Sequence, residues 1–331
     1  MSLPTADVLV LLCSYNGADW LAAQLDSIAA QQGCSWALWI SDDGSTDASL
    51  AVIEAFRARH PGHDIRLLQG PRQELGQGGS GGGAAQNFLW LLCHPDLPLG
   101  PQSHVALCDQ DDIWLPHKLA RGLARLRAEA DAASSSIAGP LIYGAQSWHI
   151  DSAGRRIGKS RRPRRPVLLQ NAVVQNMVSG HSLMLNPAAL ALARQAGRPA
   201  GIAFQDWWLS FLVLACGGRA VIDTAEVLLY RQHGRNVMGA PGGMVAALLR
   251  LRLLFGGRYR RWLNANLAGL QAAAMRPDPV QPSPEAARIL AALLPAQSPL
   301  ARLRQVWRLR LYRQGALGTA LFYAAVLLGL A

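Results

Sequence analysis

Val8-Leu9-Val10-Leu11-Leu12-Cys13 is a run of six apolar residues. So short and uniform a run reads as a strand covered on both faces, the signature of a parallel sheet. It breaks at Ser14-Tyr15-Asn16-Gly17, a turn sequence. Residues 19–30 then set Leu21, Leu25 and Ile28 on one helical face. A second apolar run at 36–40, a helical segment at 48–59 and a third run at 65–68 continue the alternation. Strand–helix–strand–helix–strand order predicts an α/β fold, a doubly wound sheet covered by helices. Ligands of such sheets bind beyond the carboxyl ends of the strands.

Three polar segments fall at those ends: residues 14–16, 42–47 and 109–112. The last is the most demanding. The apolar run 105–108 delivers Asp109, Asp111 and Asp112 within four residues, and Pro116 opens a new segment. Carboxylates at this spacing oppose one another's ionisation. A hard divalent cation, Mg²⁺ or Mn²⁺, relieves that conflict through oxygen ligands; a solvated acidic turn is the plainer alternative. Residues 42–47 have a plainer reading too, since Ser45, Thr46 and Asp47 all cap helices well.

Downstream, the glycine-dense stretch 76–83 lacks the lysine and hydroxyl of a phosphate-binding loop and reads as a linker before a helix at 84–92. A strand is expected at 138–143, with 146–151 able to continue it. Residues 155–166 hold seven Lys and Arg, and Pro163 and Pro166 argue for a loop. That loop is either simply solvated or a contact for an anionic acceptor or membrane phosphates. A helix over 206–215 would place Asp206 in its first turn, where the helix dipole favours a carboxylate. Further strands are expected at 221–223 and 227–230.

The 331 residues suffice for one large domain, 1–240, with a helical C-terminal region, 241–331. Half the residues are hydrophobic, and the formal net charge is +11. From Met244 onward, 12 Arg face only Asp278 and Glu285, a balance of +10 that leaves about +1 for the rest. Uniform basicity would suggest nucleic acid. Basicity confined to an apolar, helix-like tail argues for an anionic membrane surface and no nucleic-acid partner. Helical faces are expected at 245–254 and 260–274, a proline-rich break at 275–284, and an apolar segment at 316–331. Those last sixteen residues fall short of the roughly 20 that span a bilayer, so an interfacial, re-entrant or protein-packed helix is expected. Five scattered cysteines without a C-x-x-C pair, and no basic leader before residue 8, fit the reducing, cytoplasmic side of a membrane.

Taken together, Cys13-Ser14-Tyr15-Asn16-Gly17, the SDDGSTD of 41–47, the CDQDDIWLPHKL of 108–119, the QDWW of 205–208 and the YRQHGRN of 230–236 resemble family 2 glycosyltransferases, in particular a bacterial rhamnosyltransferase-like branch. The resemblance spans about residues 8–239. It implies a GT-A-type mixed sheet and inverting transfer of a sugar from a nucleoside-diphosphate donor, with dTDP-rhamnose favoured. The acceptor would be a saccharide or lipid-linked saccharide in cell-surface polysaccharide synthesis at the cytoplasmic face of the membrane. By the same resemblance Cys13, Tyr15, Asp43, Asn87, Asp109 and Gln110 lie on the nucleotide-sugar side. Asp109, Asp111 and His233 hold Mn²⁺ or Mg²⁺, and Asp206 is the general base. Gly180, His181, Trp207 and Trp208 border the acceptor, although the tryptophans read equally well as packing. Arg231 and Arg235 flank His233 and are offered for phosphate. The branch usually carries an acid or His before the base; here Gln205 stands there. Two other classes stay open: a metal-dependent phosphotransferase or hydrolase using the same acidic turn, and a non-catalytic membrane-bound assembly partner.

Overall fold

The computed structural model describes residues 6–71, 83–98, 103–132, 139–234, 257–294 and 297–331. Strands β1 (Val8–Ser14), β2 (Trp36–Asp42) and β3 (Ile65–Gln69) alternate with helices α1 (Ala18–Ala29) and α2 (Ser49–Arg59). Helix α3 (Ala84–Leu92) precedes β4 (His104–Cys108), the two-residue β5 (Ile113–Trp114) and α4 (Lys118–Asp131). Then come β6 (Leu141–Ile150), β7 (Arg156–Lys159), the short α5 (Leu169–Ala172), β8 (Met184–Leu185), α6 (Pro187–Ala196), α7 (Gln205–Ala215) and β9 (Arg219–Arg231). The C-terminal helices are α8 (Arg258–Ala274), α9 (Pro284–Leu293), α10 (Pro299–Arg308) and α11 (Ala316–Leu327).

One mixed sheet runs β3-β2-β1-β4-β8-β6-β9-β5, with β7 added to β6. β1 pairs in parallel with both β2 and β4, while β4 meets β8 antiparallel. The unbroken apolar run at the start has a direct cause in the pleat, which sends successive side chains to opposite faces. Leu9, Leu11 and Cys13 enter one buried cluster, and Val8, Val10 and Leu12 enter the other. The expected two-sided burial is therefore present, and the first three strand ends stand on one edge of the sheet.

Two expectations are corrected. Residues 155–166 are not wholly a loop, because β7 pairs with β6 as an exposed edge strand before the prolines begin. Trp148 holds it, with Lys159 Nζ 3.8 Å and Arg156 Cζ 4.5 Å from its indole rings. The segments at 221–223 and 227–230 are one strand of 13 residues, β9, whose pairing with β6 continues past register irregularities between Gly144 and Ser147. Asp223 lies inside it without breaking it, because Arg121 grips both its oxygens at 2.7 and 2.9 Å. The helical face expected at 245–254, and the expected boundary near residue 240, lie outside the described residues.

Helices α8 to α11 add to the same cluster as Leu9 and Leu11: Leu263, Leu267, Leu270, Ile289, Val306 and Phe322 are all buried in it. The turn from α7 into β9 is tight. A Cβ on Gly218 would lie 2.3 Å from the Pro140 carbonyl oxygen and 2.8 Å from that of Val213. Backbone atoms cannot yield as a side-chain tip does, so Gly218→Ala should lower unfolding stability by about 1–3 kcal/mol. Chemical denaturation of the two proteins measures this; an unchanged midpoint would contradict the packing described.

Candidate active site

The first strand end is built by exchanged backbone and side-chain bonds. Asn16, at φ +47°, donates its N–H to Ser45 Oγ at 2.8 Å and accepts from Thr46 N–H at 2.8 Å. Asp42 Oδ1 accepts from the N–H groups of Gly44 and Ser45, closing the second turn. Asp47 accepts from Ser49 N–H at the start of α2 and from Ala18 N–H at the start of α1. Asp47 thus serves both helix starts and Asp42 the turn, while Asp43 N–H is anchored on Ser14 O at 2.8 Å. Asp43 is buried against Gly70, where a Cβ would come within 3.0 Å of its Oδ1. Tyr15 is 41% exposed and stands over this edge.

The acidic turn follows β4. Asp109 is half-buried, and its pKa is pushed up to about 7, chiefly by desolvation and then by Asp111 and Asp206. Asp112 has no exposed surface and is raised well above the ordinary carboxylate range by burial, then by Asp111 and Asp109. One of its oxygens accepts from Arg231 N–H at 3.1 Å; the other, Oδ2, has no hydrogen-bond partner. Asp111 Oδ2 lies 2.8 Å from His233 Nε2, and Trp20 stacks on that imidazole at 4.0 Å.

His181 closes the group from the other side. Ligand atoms of Asp109, Asp112 and His181 all lie within 4.8 Å of one another. The imidazole stacks on Tyr230 at 4.5 Å, and its Nε2 is buried without a partner. Burial, then Lys118 and His149, push its pKa down to about 3, so it is neutral and able to act as a ligand.

Asp206 reaches the same place from the start of α7. Gly180 N–H donates to its Oδ2 at 2.9 Å and Trp207 N–H to its Oδ1 at 2.8 Å. Burial raises its pKa, while the Asn176 side chain and these two N–H groups work against the rise. A Cβ on Gly180 would meet Gln205 Nε2 at 3.1 Å and Asp206 Oδ2 at 3.5 Å, so the glycine lets this carboxylate approach. Gln205, at the position where the branch usually carries an acid or His, is buried.

The structure redraws several expected roles. Gln110 uses its amide on backbone: Tyr15 N–H donates to its Oε1 at 2.8 Å, and its Nε2 donates to Tyr15 O at 3.1 Å. It positions Tyr15. Asn87 is buried and pairs with Ser41, accepting from the hydroxyl and donating to the carbonyl at 3.2 Å, so it clamps α3 to β2. The Cys13 thiol faces the core, and burial pushes its pKa well up. Trp207 and Trp208 match the packing alternative: Trp208 has no exposed surface, and Trp207 Nε1 donates to Ala172 O at 2.7 Å inside the core. Their positions on α7 turn them inward, away from the carboxylate of Asp206. Arg231 is buried, with Nε on Asp111 O and Nη1 on Ser152 O, both at 3.1 Å; it props the acidic turn. Arg235 lies outside the described residues.

One residue of the site escaped the sequence reading. Lys118 has no exposed surface, and its Nζ lies 3.5 Å from the Trp114 ring centroid. Desolvation lowers its pKa to about 8 against the opposing pull of Cys108, Asp112 and Asp109. It brings positive charge to the inner face of the acidic turn. The available signal was its place inside the 108–119 motif at the head of an otherwise amphipathic helix.

Comparison with known proteins bears on this geometry. Residues 9–184, more than half of the chain, match the model for glycosyl transferase family 2. The dTDP-rhamnosyl transferase RfbG of Shigella flexneri is 26% identical over 263 residues, 76% of this chain and 81% of that protein. The succinoglycan biosynthesis protein ExoO of Rhizobium meliloti is 27% identical over 260 residues, 74% of this chain and 64% of that protein. Among solved structures, S. aureus TarS 1-349 in complex with UDP-GlcNAc matches with a TM-score of 0.53 at 15% identity, over 96% of this chain and 90% of that one. At that identity the likeness is one of fold, and the fold is the GT-A type expected. Sequence motifs and a family match across the strand ends that carry the acidic turn agree: the chain belongs to glycosyl transferase family 2 and is a glycosyltransferase.

Proposed function

We propose that the chain transfers a sugar, with inversion, from a nucleoside-diphosphate donor to an acceptor hydroxyl, and that the donor is dTDP-rhamnose. The observation that carries this reading is convergence. Asp43 comes from the end of β2, Asp109 and Asp111 come from the end of β4, Asp206 comes from α7, and the charges of Asp111 and Asp206 both act on Asp109. Similarity to RfbG favours rhamnose, and similarity to ExoO favours polysaccharide synthesis. The acceptor in this reading is a saccharide or lipid-linked saccharide met at an anionic membrane surface, on its cytoplasmic side.

Tyr15 offers an aromatic face for the base, and Asp43 a carboxylate that can accept from a pyrimidine N–H. Carboxylates with imidazoles form a donor set suited to Mn²⁺ or Mg²⁺, with imidazole favouring Mn²⁺. The raised pKa of Asp109, with Asp111 beside it, fits such an ion. Asp111 and His233, with Asp109, would hold it. The inner group of Asp112 and His181 already has a cation in Lys118, whose charge acts on both. When bound, the ion neutralises charge on the departing diphosphate. Asp206, oriented by its two backbone donors, takes the proton of the attacking hydroxyl.

Thermal shift with dTDP and UDP, with and without Mn²⁺, tests the donor site, since a ligand of the folded state raises apparent stability. Wild type should shift with dTDP plus Mn²⁺, and Asp111→Asn should lose the Mn²⁺-dependent part. An equal shift in the variant would remove Asp111 from the metal site. Product configuration by NMR after incubation with dTDP-rhamnose decides inversion.

A further inference from the structure

Helix α11 is apolar around its whole circumference, yet only one side of it is covered. Phe322, Ala325 and Val326 pack into the core. The opposite side shows Leu317 (74% exposed), Leu321 (49%) and Leu328 (65%), the last just beyond the helix end. Their spacing of four and seven residues makes them one stripe. Beside it α10 turns outward Leu300 and Trp307, the latter 69% exposed and 6.0 Å from the Tyr323 ring. Large exposed apolar side chains gathered on adjacent helices mark an interaction surface.

The surroundings of this face are cationic. Arg304 and Arg308 are exposed on α10, and Arg310 follows it. The link between α10 and α11 also holds the basic segment after β7. Gln314 Oε1 accepts from the N–H groups of Arg164 and Arg165 at 2.9 and 2.8 Å, and Tyr312 OH donates to Pro166 O at 2.9 Å. Arginines that the catalytic site does not use therefore border the apolar stripe.

We propose that this α10–α11 face is the surface by which the protein lies on an anionic lipid bilayer, with Trp307, Leu317, Leu321 and Leu328 entering the headgroup boundary and the arginines meeting lipid phosphates. The proposal rests on the membrane location in the functional reading and names the surface that the reading leaves unassigned. A second copy of the chain is a poor occupant. Residues 286–331 contain no Asp or Glu, so a symmetric contact would set arginines against arginines. Spanning is excluded for α11 by length: its 12 residues extend about 18 Å, against a hydrocarbon core of about 30 Å. No helix among the described residues is long and apolar enough to cross a membrane. An apolar face with aromatic and Arg flanks, lying in the interface plane, satisfies both facts.

The experiment is co-sedimentation of the full chain with phosphatidylcholine vesicles and with vesicles in which phosphatidylglycerol supplies the anionic surface that attracts polybasic segments. Wild type should pellet with the anionic vesicles and less with the neutral ones. Leu317→Glu/Leu321→Glu should abolish pelleting. Each of Arg304→Glu and Arg308→Glu should weaken it by roughly fivefold or more. The thermal midpoint and the transfer rate on a soluble acceptor should not change in any variant. Wild type that ignores both vesicle types overturns the membrane reading itself. Wild type that pellets while the Leu→Glu variant still does so overturns only this surface. Equal binding to both vesicle types overturns the anionic part. A concentration-dependent dimer of wild type that the Leu→Glu variant lacks, by light scattering without lipid, assigns the face to a second copy instead.

Discussion

Asp206→Asn enzyme should transfer sugar about 10²–10⁴-fold more slowly, the range a positioned general base supplies. Nucleotide binding should be retained, because the nucleoside side of the site, Tyr15 and Asp43, is carried by the ends of β1 and β2 and not by α7. Its two backbone donors, Gly180 N–H and Trp207 N–H, aim it into the site. They also make asparagine an imperfect isostere, since the new amide N–H₂ must face one of those donors. The thermal midpoint must therefore be recorded alongside the rate, and a small fall is expected. Burial raises the pKa of Asp206. The base works only when ionised, so wild-type kcat/KM should fall as pH drops through a value above the ordinary carboxylate range. Asp206→Asn should lose the share of that acid limb that belongs to Asp206, while the share from Asp109 stays in both proteins. A variant with unimpaired kcat would remove Asp206 from proton transfer.

Trp208→Ala should cost about 3–5 kcal/mol of stability, the range for truncating a large buried aromatic. The indole has no exposed surface and lies so close to α8 that a Cβ on Gly269 would come within 3.2 Å of it. Such a loss is a large share of the roughly 5–15 kcal/mol that holds a protein folded, so a thermal midpoint lower by many degrees is expected. At a temperature where the variant is still folded, its KM for the acceptor should match that of wild type. A variant with an unaltered midpoint and a raised acceptor KM would return Trp208 to the pocket wall that its motif suggested.

Two residues apart, Asp206 and Trp208 meet different surroundings for a simple reason. Asp206 and Trp208 belong to one tetrapeptide, and resemblance carried both to the site. The helix that starts there turns one outward and the other into the core. Similar cases are Gln110 and Asn87. Both lie in segments that line the site, yet their amides bond to the backbone of Tyr15 and to Ser41. A motif reports that a residue type is required, and either a ligand or a neighbouring loop can require it. Lys118 is the converse. Nothing local marks a lysine in a helix as buried, and its partners on β4 and the acidic turn were legible only once α4 lay beneath them.

The alternation of strands and helices, the parallel character of β1 and β2, and the edge on which polar strand ends gather were all legible in the chain's own residues. Those follow from local quantities: apolar runs of strand length, helical spacing, and turn residues that stop them. The concentration of basic charge beyond Met244 was legible there too. The tertiary structure alone decided which face of each element looks into the site and which polar atoms are already bonded. It joined His181 to Asp109 and Asp112 across some 70 residues of chain. It also covered one side of α11 and left the other bare. Those outcomes depend on what packs against each element, and burial, pKa and hydrogen-bond satisfaction are properties of that packing rather than of the neighbouring sequence.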